Sequence, residues 1–234
     1  MLEIKNLSKT YDDIKVVDDL SFFANKGEIL GLLGPNGAGK TTTLEILVGL
    51  TKANHGEITL DNISLFKNTE KIKGKIGFVS EDIPLYEHLT GEEYLLFICK
   101  MRNIKSSDSK ILINDYAKQF DLIDKMNSFI SSYSKGMKQK LSIISALIHS
   151  PTILILDEPL TGVDPISSTI IKNYLKEYAQ KGNIVIFSSH ILEMVEKLCD
   201  KIILINKGKI VYFNYLNDLL TNNNINNIEE LFNK

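Results

Sequence analysis

The sequence predicts an α/β protein built around a parallel β-sheet that helices cover on both faces. Beyond residue 150, short apolar runs alternate with helical stretches, which indicates parallel strands joined by crossover helices. One apolar run, ILIL at 153–156, contains no polar residue, as is typical of a parallel strand buried on both faces. A glycine-rich stretch at 34–39 follows another apolar run and precedes a helical pattern, which predicts a strand–loop–helix unit.

The first 30 residues are predicted to be rich in strands, and two further strands follow after a helix. Strands are expected at LEIKNL (2–7), KVVDDLSFF (15–23), GEILGLLG (27–34), GEITL (56–60) and KIGFVS (75–80). The run TTLEILVGL at 42–50 predicts a helix between the third and fourth of these strands.

From about residue 90 to residue 148 the pattern becomes helical, and we interpret this part as an insertion into the α/β body. Its clearest helical segments are GEEYLLFICKMR (91–102) and ILINDYAKQFDLI (111–123). Strands are then expected at 152–156, 183–189, 201–205 and 207–213, with helices beginning at Pro165 and His190. The Asn-rich stretch 222–227 predicts a loose loop before a short helix, NIEELF.

Composition excludes several classes of protein. The formal net charge of -2 gives no basic field for nucleic acid. Cys99 and Cys199 lie far apart in the sequence and fit no disulfide or metal pattern, so we expect reduced, buried thiols. The first residues are already strand-like and no apolar run reaches the roughly 18 residues of a membrane-spanning helix. A cytosolic chain is expected, and its 234 residues fit one domain.

The strongest chemical motif is GPNGAGKT, which matches the phosphate-binding pattern G-x-x-x-x-G-K-[ST] between a strand and a helix. In this pattern, glycines let main-chain N–H groups surround phosphate oxygens, Lys40 reaches the terminal phosphates, and the Thr41 hydroxyl can bind Mg²⁺. The predicted nucleotide-binding residues here are Gly34, Pro35, Asn36, Gly37, Ala38, Gly39, Lys40, Thr41 and Thr42.

Two acidic residues follow the apolar strand at 153–156. Asp157 is suited to hold Mg²⁺, and Glu158 is placed to orient or deprotonate an attacking water. An acidic pair after a strand often belongs only to a loop or to a helix start. The phosphate loop elsewhere in the chain is what favours a catalytic interpretation of this pair. Together the two motifs predict a P-loop NTPase.

A helix start at SYSKGMKQKLS (132–142) has an unusual charge pattern. Its first turns carry Lys135, Lys138 and Lys140, although a helix N-terminus already has partial positive charge. Taken alone, the three lysines would be interpreted as a solvated face. The combination of Ser134, Gly136 and nearby lysine predicts that this helix end meets an anion.

A GTPase would need an N-K-x-D base-recognition motif, and INKGK at 205–209 has Lys209 in place of the Asp. The chain instead resembles the ATP-binding subunit of an ABC transporter, whose motifs occur here in the family's order between Tyr11 and His190. SKGMKQK resembles the family signature, with Ser134 and Gly136 at matching positions, DEP (157–159) matches the magnesium strand and its glutamate, and TGVD matches the loop ending in Asp164.

The resemblance implies roles for these residues. Tyr11 would stack on adenine, Glu158 would act as catalytic base, and His190 would contact the γ-phosphate. Two such subunits would dimerise head to tail, so that Ser134, Lys135 and Gly136 contact ATP bound by the partner chain. The implied cofactors are ATP and Mg²⁺. The implied partners are transmembrane subunits on separate chains and a second ATP-binding subunit, either identical or different, at the cytoplasmic side of the membrane.

The signature departs from the family pattern, with Tyr133 for Leu, Lys135 for Gly and Met137 for Gln. This variant resembles the drug-resistance, bacteriocin-immunity and sodium-efflux exporters, which implies export. Glu81 stands where the family has a Gln that contacts Mg²⁺. Its carboxylate could face the metal, and a solvated loop acid is the alternative interpretation.

We therefore expect one ABC ATPase domain over residues 1–234. It would comprise a parallel core sheet, an N-terminal antiparallel β subdomain, a helical subdomain at about 84–150 and a short C-terminal tail at 214–234. ATP hydrolysis that drives transport is the favoured function. A soluble ABC-type ATPase with a non-transport role is the alternative, although the roughly 90 residues between the phosphate loop and the signature leave no room for a long coiled coil. A regulatory module that never hydrolyses ATP is disfavoured by the presence of Glu158 and His190.

Overall fold

The computed structural model describes residues 1–66, 72–82 and 84–218 and contains two β-sheets. The first sheet is antiparallel, with strand order β2-β1-β4-β5. Its strands are β1 (Leu2–Tyr11), β2 (Ile14–Ala24), β4 (His55–Leu60) and β5 (Ile63–Ser64). The inward-facing residues of this sheet, including Leu2, Ile4 and Ile58, are buried, as expected for a sheet with one face on the core.

The second sheet has strand order β10-β9-β3-β8-β7-β6 and is parallel except for the edge strand β10. Its strands are β3 (Ile29–Leu33), β6 (Ile76–Val79), β7 (Ile153–Leu156), β8 (Ile184–Ser189), β9 (Lys201–Asn206) and β10 (Lys209–Tyr215). Every residue of β3, β7 and β8 is buried, because both faces of these strands are covered.

The α-helices with well-defined bounds in the described residues are α1 (Lys40–Leu47), α2 (Gly91–Met101), α3 (Ser106–Gln119), α4 (Lys135–Leu147), α5 (Pro165–Gln180) and α6 (Leu192–Leu198). Several starts are fixed by side-chain caps. Thr90 and Glu93 form a reciprocal capping box at α2, and the Asp164 carboxylate accepts the Ser167 N–H at α5, where Pro165 occupies the first helical position. The helices α2, α3 and α4 lie in the chain between β6 and β7.

The strand order brings three loop starts to one edge of the core sheet. Because β8 pairs with both β3 and β7, with Leu33 opposite Ser189 and Leu156 opposite Phe187, the carboxyl ends of the three strands are adjacent. Ligands of open α/β sheets bind at this edge. These three strand ends lead into the phosphate loop, the acidic pair and His190, which therefore lie side by side.

The structure agrees with most predicted elements and corrects some boundaries. The helix predicted from His190 begins at Leu192, and the segment predicted at 111–123 is a helix from Ser106 to Gln119. Cys99 and Cys199 are buried free thiols, as predicted. The predicted Asn-rich loop at 222–227 and the helix after it lie outside the described residues. Among the helices of residues 1–66, 72–82 and 84–218, none has the length and hydropathy of a membrane-spanning helix.

Candidate nucleotide site

The last position of the glycine-rich loop between β3 and α1 can be occupied only by glycine. Gly39 has a φ of 100°, and a Cβ there would overlap the carbonyl oxygen of Val16 on β2. Gly37, two residues earlier, has a φ of 78°. The loop therefore turns tightly onto the first residue of α1, and its main-chain N–H groups form the start of a helix that favours anions.

Lys40 is held inside this loop. Its side chain is buried, and its ammonium donates hydrogen bonds to the main-chain oxygens of Gly34 (2.8 Å) and Pro35 (3.3 Å). One turn later, the Thr43 hydroxyl donates to the Gly39 oxygen (2.7 Å) and secures the first turn. The cation is thus fixed at the loop rather than free in solvent, which lowers the entropy lost when it binds a phosphate.

The loop forms one wall of an open cleft of about 340 Å³. The cleft is lined by Val16, Asn36, Gly37, Ala38, Gly39, Lys40, Thr41, Thr42, Glu81, Glu158 and His190. The fold thus brings together residues from five parts of the sequence, and all of them except Val16 were predicted as site residues. Gly34 and Pro35 belong to the same loop, where they accept the Lys40 hydrogen bonds.

The acidic pair is organised by a serine that sequence reasoning missed. Ser188 on β8 is fully buried, and its hydroxyl donates to the Asp157 carboxylate and accepts the main-chain N–H of Glu158 (2.9 Å). Asp157 itself is only 2% exposed. The serine therefore fixes both acids through one hydroxyl group, and the only signal in the sequence was a small polar residue two positions before His190.

Glu158 has a strained backbone and two side-chain partners. Its φ of 47° lies in the left-handed region, which is unfavourable for a residue with a side chain and is often found at functional sites. Its carboxylate accepts hydrogen bonds from the Thr161 hydroxyl (3.1 Å) and lies 2.9 Å from Nδ1 of His190. The other ring nitrogen of His190 is left to contact a ligand, because the imidazole is half exposed.

Oxygen ligands for a cation meet next to the phosphate loop. A second cleft, of about 470 Å³, is lined by Thr41, Glu81 and Asp157 among others. Hydroxyl and carboxylate oxygens, together with nucleotide phosphates, are the donors that Mg²⁺ prefers. The described residues contain no cluster of three or more His, Cys, Asp or Glu that could hold a metal without such phosphates. The chemistry of these three side chains fits a magnesium ion that arrives with a nucleotide.

Tyr11 lies apart from the residues that line the cleft. It ends β1 at the hairpin to β2, its side chain is exposed, and the ammonium of Lys9 lies 4.6 Å from the centre of its ring. Val16, on the second strand of the same hairpin, lines the cleft instead. One face of the Tyr11 ring is therefore occupied by Lys9, and only the other is open to a ligand.

The second predicted anion site is the start of α4. Ser134 caps this helix by accepting the Met137 N–H (3.2 Å), and Gly136 packs so closely on α5 that a Cβ would overlap the carboxylate of Asp164. Lys135 lies over Gly162, where a Cβ would come within 2.8 Å of its ammonium. Ser134, Lys135 and Gly136 thus form a separate helix start that does not line the phosphate-loop cleft.

The interpretation of the three lysines as a solvated face is wrong for Lys140. Lys138 forms an ion pair with Glu87 across the surface of the protein. Lys140 is buried, and its ammonium donates to the main-chain oxygen of Asp121 (3.0 Å). Periodicity could not show this, because the burial depends on a turn 19 residues away in the sequence. Of these three lysines, Lys135 is the exposed one, and within the described residues its ammonium makes no hydrogen bond.

Comparisons with known proteins identify the family. The profile of the family described as "ABC transporter" matches residues 17–161. The chain is 35% identical to the ABC transporter ATP-binding protein NatA of Bacillus subtilis, over 99% of this chain and 96% of that protein. It is 38% identical to the bacitracin transport ATP-binding protein BcrA of Bacillus licheniformis, over 90% of this chain and 68% of that protein.

Solved structures show the same fold. An ATP-binding subunit of an ABC transporter superposes with a TM-score of 0.89 and 30% identity, over 99% of this chain and 98% of that one. The dimeric ATP-binding cassette MJ0796, solved with ADP and Pi bound, superposes with a TM-score of 0.83 and 25% identity, over 92% and 99% of the two chains.

Proposed function

The chain belongs to the ABC transporter family as an ATP-binding subunit with ATPase activity, and from this premise we propose that it hydrolyses Mg-ATP as a dimer to power export through separate membrane subunits. The observation that carries the proposal is the single cleft in which Lys40, Glu158 and His190 meet. A cation for phosphates, a carboxylate and an imidazole are the groups that phosphoryl transfer to water requires.

In the proposed mechanism, the N–H groups of residues 36–41 and the ammonium of Lys40 bind the nucleotide phosphates. Glu158 orients the attacking water and accepts its proton, and His190, held by Glu158 through Nδ1, contacts the γ-phosphate with its other nitrogen. Thr161 and Ser188 keep the carboxylate and the backbone of Glu158 in place. Tyr11 presents its open face to adenine.

Magnesium would be held by the Thr41 hydroxyl and by Asp157, with Glu81 facing the same cleft. When bound, the ion would neutralise phosphate charge. Glu81 brings a carboxylate to a wall that phosphates approach, so its own contribution to nucleotide affinity is unfavourable.

The anion expected at α4 is the terminal phosphate of ATP bound by a second subunit. Ser134 and Gly136 offer the main-chain N–H groups of a helix start, and Lys135 offers a charge without an internal partner among the described residues. The dimeric state of the solved cassette MJ0796 supports this arrangement. Each subunit would then provide half of each of two sites.

A membrane subunit would bind at an apolar cleft of about 320 Å³ between the core and α2. Its lining includes the apolar residues Leu50, Phe78, Ile98 and Met101 and the cations Lys73 and Arg102. Leu50 and Met101 are among the most exposed large hydrophobic residues of the chain, and such exposure indicates an interaction surface. A short cytoplasmic helix of a separate transmembrane chain suits this cleft. Export is supported by relatives named for linearmycin resistance and bacitracin transport.

The test combines two substitutions: one that lets the enzyme bind ATP without hydrolysing it, and one that blocks the start of α4. Glu158→Gln removes the proton acceptor, so hydrolysis should fall by a factor on the order of 10² or more, while bound ATP should hold two subunits together by linkage. Size-exclusion chromatography with Mg-ATP should show a dimer for this variant and a monomer without nucleotide. Adding Ser134→Arg should abolish the dimer, since the bulky side chain blocks the partner's γ-phosphate.

The matched control is Ser131→Arg, which changes an exposed serine three residues earlier, before the helix begins. It should leave the trapped dimer intact. A dimer that persists in Glu158→Gln/Ser134→Arg would show that the start of α4 is not the other half of the site.

A further inference from the structure

Lys9 is a cation that the proposed mechanism does not use. It lies two residues before Tyr11 on β1, and alternate residues of a strand face the same side of the sheet. Its ammonium lies 4.6 Å from the centre of the Tyr11 ring and donates a hydrogen bond to the main-chain oxygen of Lys52 (2.9 Å). A cation this close to a ring is attracted by the negative charge of the ring face. Two separate contacts therefore fix the position of the Lys9 ammonium.

The main-chain oxygen that holds Lys9 belongs to a segment that α1 connects to the phosphate loop. This helix begins directly after the loop, and residues 50–54 follow its end. Asn54 donates its main-chain N–H to the Ser8 oxygen (2.8 Å), and its side-chain oxygen accepts the Thr10 N–H (2.8 Å). The last residues of β1 are therefore attached to this segment, and the hydrogen bond from Lys9 strengthens the connection.

The second strand of the same hairpin lies against the phosphate loop itself. Tyr11 is paired with Ile14 at the hairpin end, and the carbonyl of Val16 packs onto Gly39. The backbone thus sets the distance between the Tyr11 ring and the phosphate loop. It does not set the orientation of the ring, because the exposed side chain can rotate about its own bonds. The contact with Lys9 restricts that rotation.

We propose that Lys9 is a positioning residue for the nucleotide base, which holds the Tyr11 ring so that its uncovered face is presented to adenine. This inference rests on the proposed stacking of adenine on Tyr11. The ring is oriented before the base arrives, so less side-chain freedom is lost on binding. The ammonium also draws electron density away from the open face, which weakens the repulsion between two stacked π systems. Lys9 acts through Tyr11, because it lies on the covered face.

The experiment compares two ligands that share their phosphates and differ in the base. Mg-ADP carries adenine, Mg-pyrophosphate does not, and neither requires hydrolysis or a second chain. Lys9→Met keeps an unbranched side chain and removes both the charge and the hydrogen bond to Lys52. This variant should raise the dissociation constant of Mg-ADP by about 3- to 10-fold and change that of Mg-pyrophosphate by less than about 2-fold. Calorimetric titration of the whole chain measures both constants.

The matched control is Lys5→Met on the same strand. The Lys5 ammonium lies 3.0 Å from the Glu3 carboxylate at the surface, so this variant removes an equal charge without touching Tyr11. Both dissociation constants should stay unchanged. Lys9→Arg should restore the affinity for Mg-ADP to within about 2-fold of the original value, because a guanidinium also stacks on an aromatic face.

A double-mutant cycle tests whether Lys9 acts through the ring. Tyr11→Ala should weaken Mg-ADP by about 10-fold, as loss of a stacking platform does. Lys9→Met should then have almost no further effect, because the ring that it positions is gone.

A fluorescence signal reports the stacking directly. The chain contains no tryptophan, so Tyr11→Trp places a single tryptophan probe at this position. Mg-ADP should quench its emission, whereas Mg-pyrophosphate should not. Adding Lys9→Met should move the midpoint of the quenching to a higher Mg-ADP concentration by about the same 3- to 10-fold. A purely structural role of Lys9 would lower the unfolding temperature and leave this midpoint in place.

Three outcomes would overturn the inference: equal losses for Mg-ADP and Mg-pyrophosphate, equal effects of the Met variants at 5 and 9, or full additivity with Tyr11→Ala. Failure of the proposed stacking looks different, because Tyr11→Ala would then bind Mg-ADP as tightly as the unchanged chain, and the inference would fall with it. Failure of the proposed hydrolysis or dimer would leave all these measurements as predicted, since neither step takes part in them.

Discussion

The starts of α1 and α4 are two helix ends with the same local physics and different surroundings. Each begins with a lysine, Lys40 or Lys135, and has no acidic residue in its first turn, so each leaves main-chain N–H groups and partial positive charge for an anion. At α1, Lys40 folds into its own loop, and the cleft around it already contains Glu158 and His190. At α4, Ser134 caps the helix, and none of those groups is beside it.

The comparison shows that the attraction of a helix start for phosphate depends on local backbone structure. The chemistry done on that phosphate depends on the tertiary structure, which places catalytic groups beside it. A helix start with free main-chain N–H groups favours an anion through local backbone structure alone. Hydrolysis also needs a carboxylate that can orient an attacking water, and Glu158, at the edge of the core sheet where β3, β7 and β8 end together, is the residue proposed for that role. In the proposed dimer, the start of α4 contributes to the reaction through the nucleotide that a second chain binds.

The largest effect that separates the two helix starts is expected from Lys40→Ala. The variant loses charge-assisted contacts to phosphate, worth about 1.5–3 kcal/mol each, so nucleotide affinity should fall by about 10²-fold. The fold should survive, because the loop loses no apolar packing. Lys138→Ala at the other helix should leave the affinity unchanged, since that ammonium pairs with Glu87. Titration with a fluorescent ATP analogue measures the affinity of both variants. Equal affinities would show that the two helix starts do not differ in their contribution to nucleotide binding.

A smaller effect, confined to the second helix start, is expected from Gly136→Ala. Alanine favours a helix by about 1 kcal/mol over glycine, but its Cβ would overlap the Asp164 carboxylate and crowd Ser167. The start of α4 should shift, and in the Glu158→Gln background the ATP-dependent dimer should weaken by about 10-fold. Analytical ultracentrifugation with Mg-ATP checks this. Nucleotide binding by the monomer should not change, and a loss there would mean that the two helix starts are not independent.

The smallest effect is expected at the phosphate-loop cleft from Glu81→Gln. The change removes one negative charge near the phosphates, so ATP affinity should stay similar or improve by a factor of about 2–3. If Glu81 faces the metal, the change should alter turnover more when a membrane partner is present than when it is absent. ATPase assays in both states test this. Identical kinetics in the two states would support the interpretation of Glu81 as a solvated loop acid.

Sequence reasoning located most of the candidate site because its strongest parts are short and continuous. The glycine-rich loop, Lys40 and Thr41 lie within eight residues, and their spacing follows from the size of a phosphate group. It missed Ser188 and Val16, which reach the site from other strands. A pattern within one stretch cannot show which distant hydroxyl will meet Asp157, since that depends on the order of strands in the sheet.

By itself, the sequence determined the α/β alternation, the family, the phosphate loop and the acidic pair, because these depend on periodicity and on backbone requirements within a few residues. Only the tertiary structure decided that Lys140 is buried with its ammonium on the Asp121 main-chain oxygen and that Lys9 covers one face of Tyr11. The reason is physical. Whether a side chain is buried, and which charges surround it, depends on packing between segments far apart in the chain, and three lysines on one short helix can therefore have three different environments.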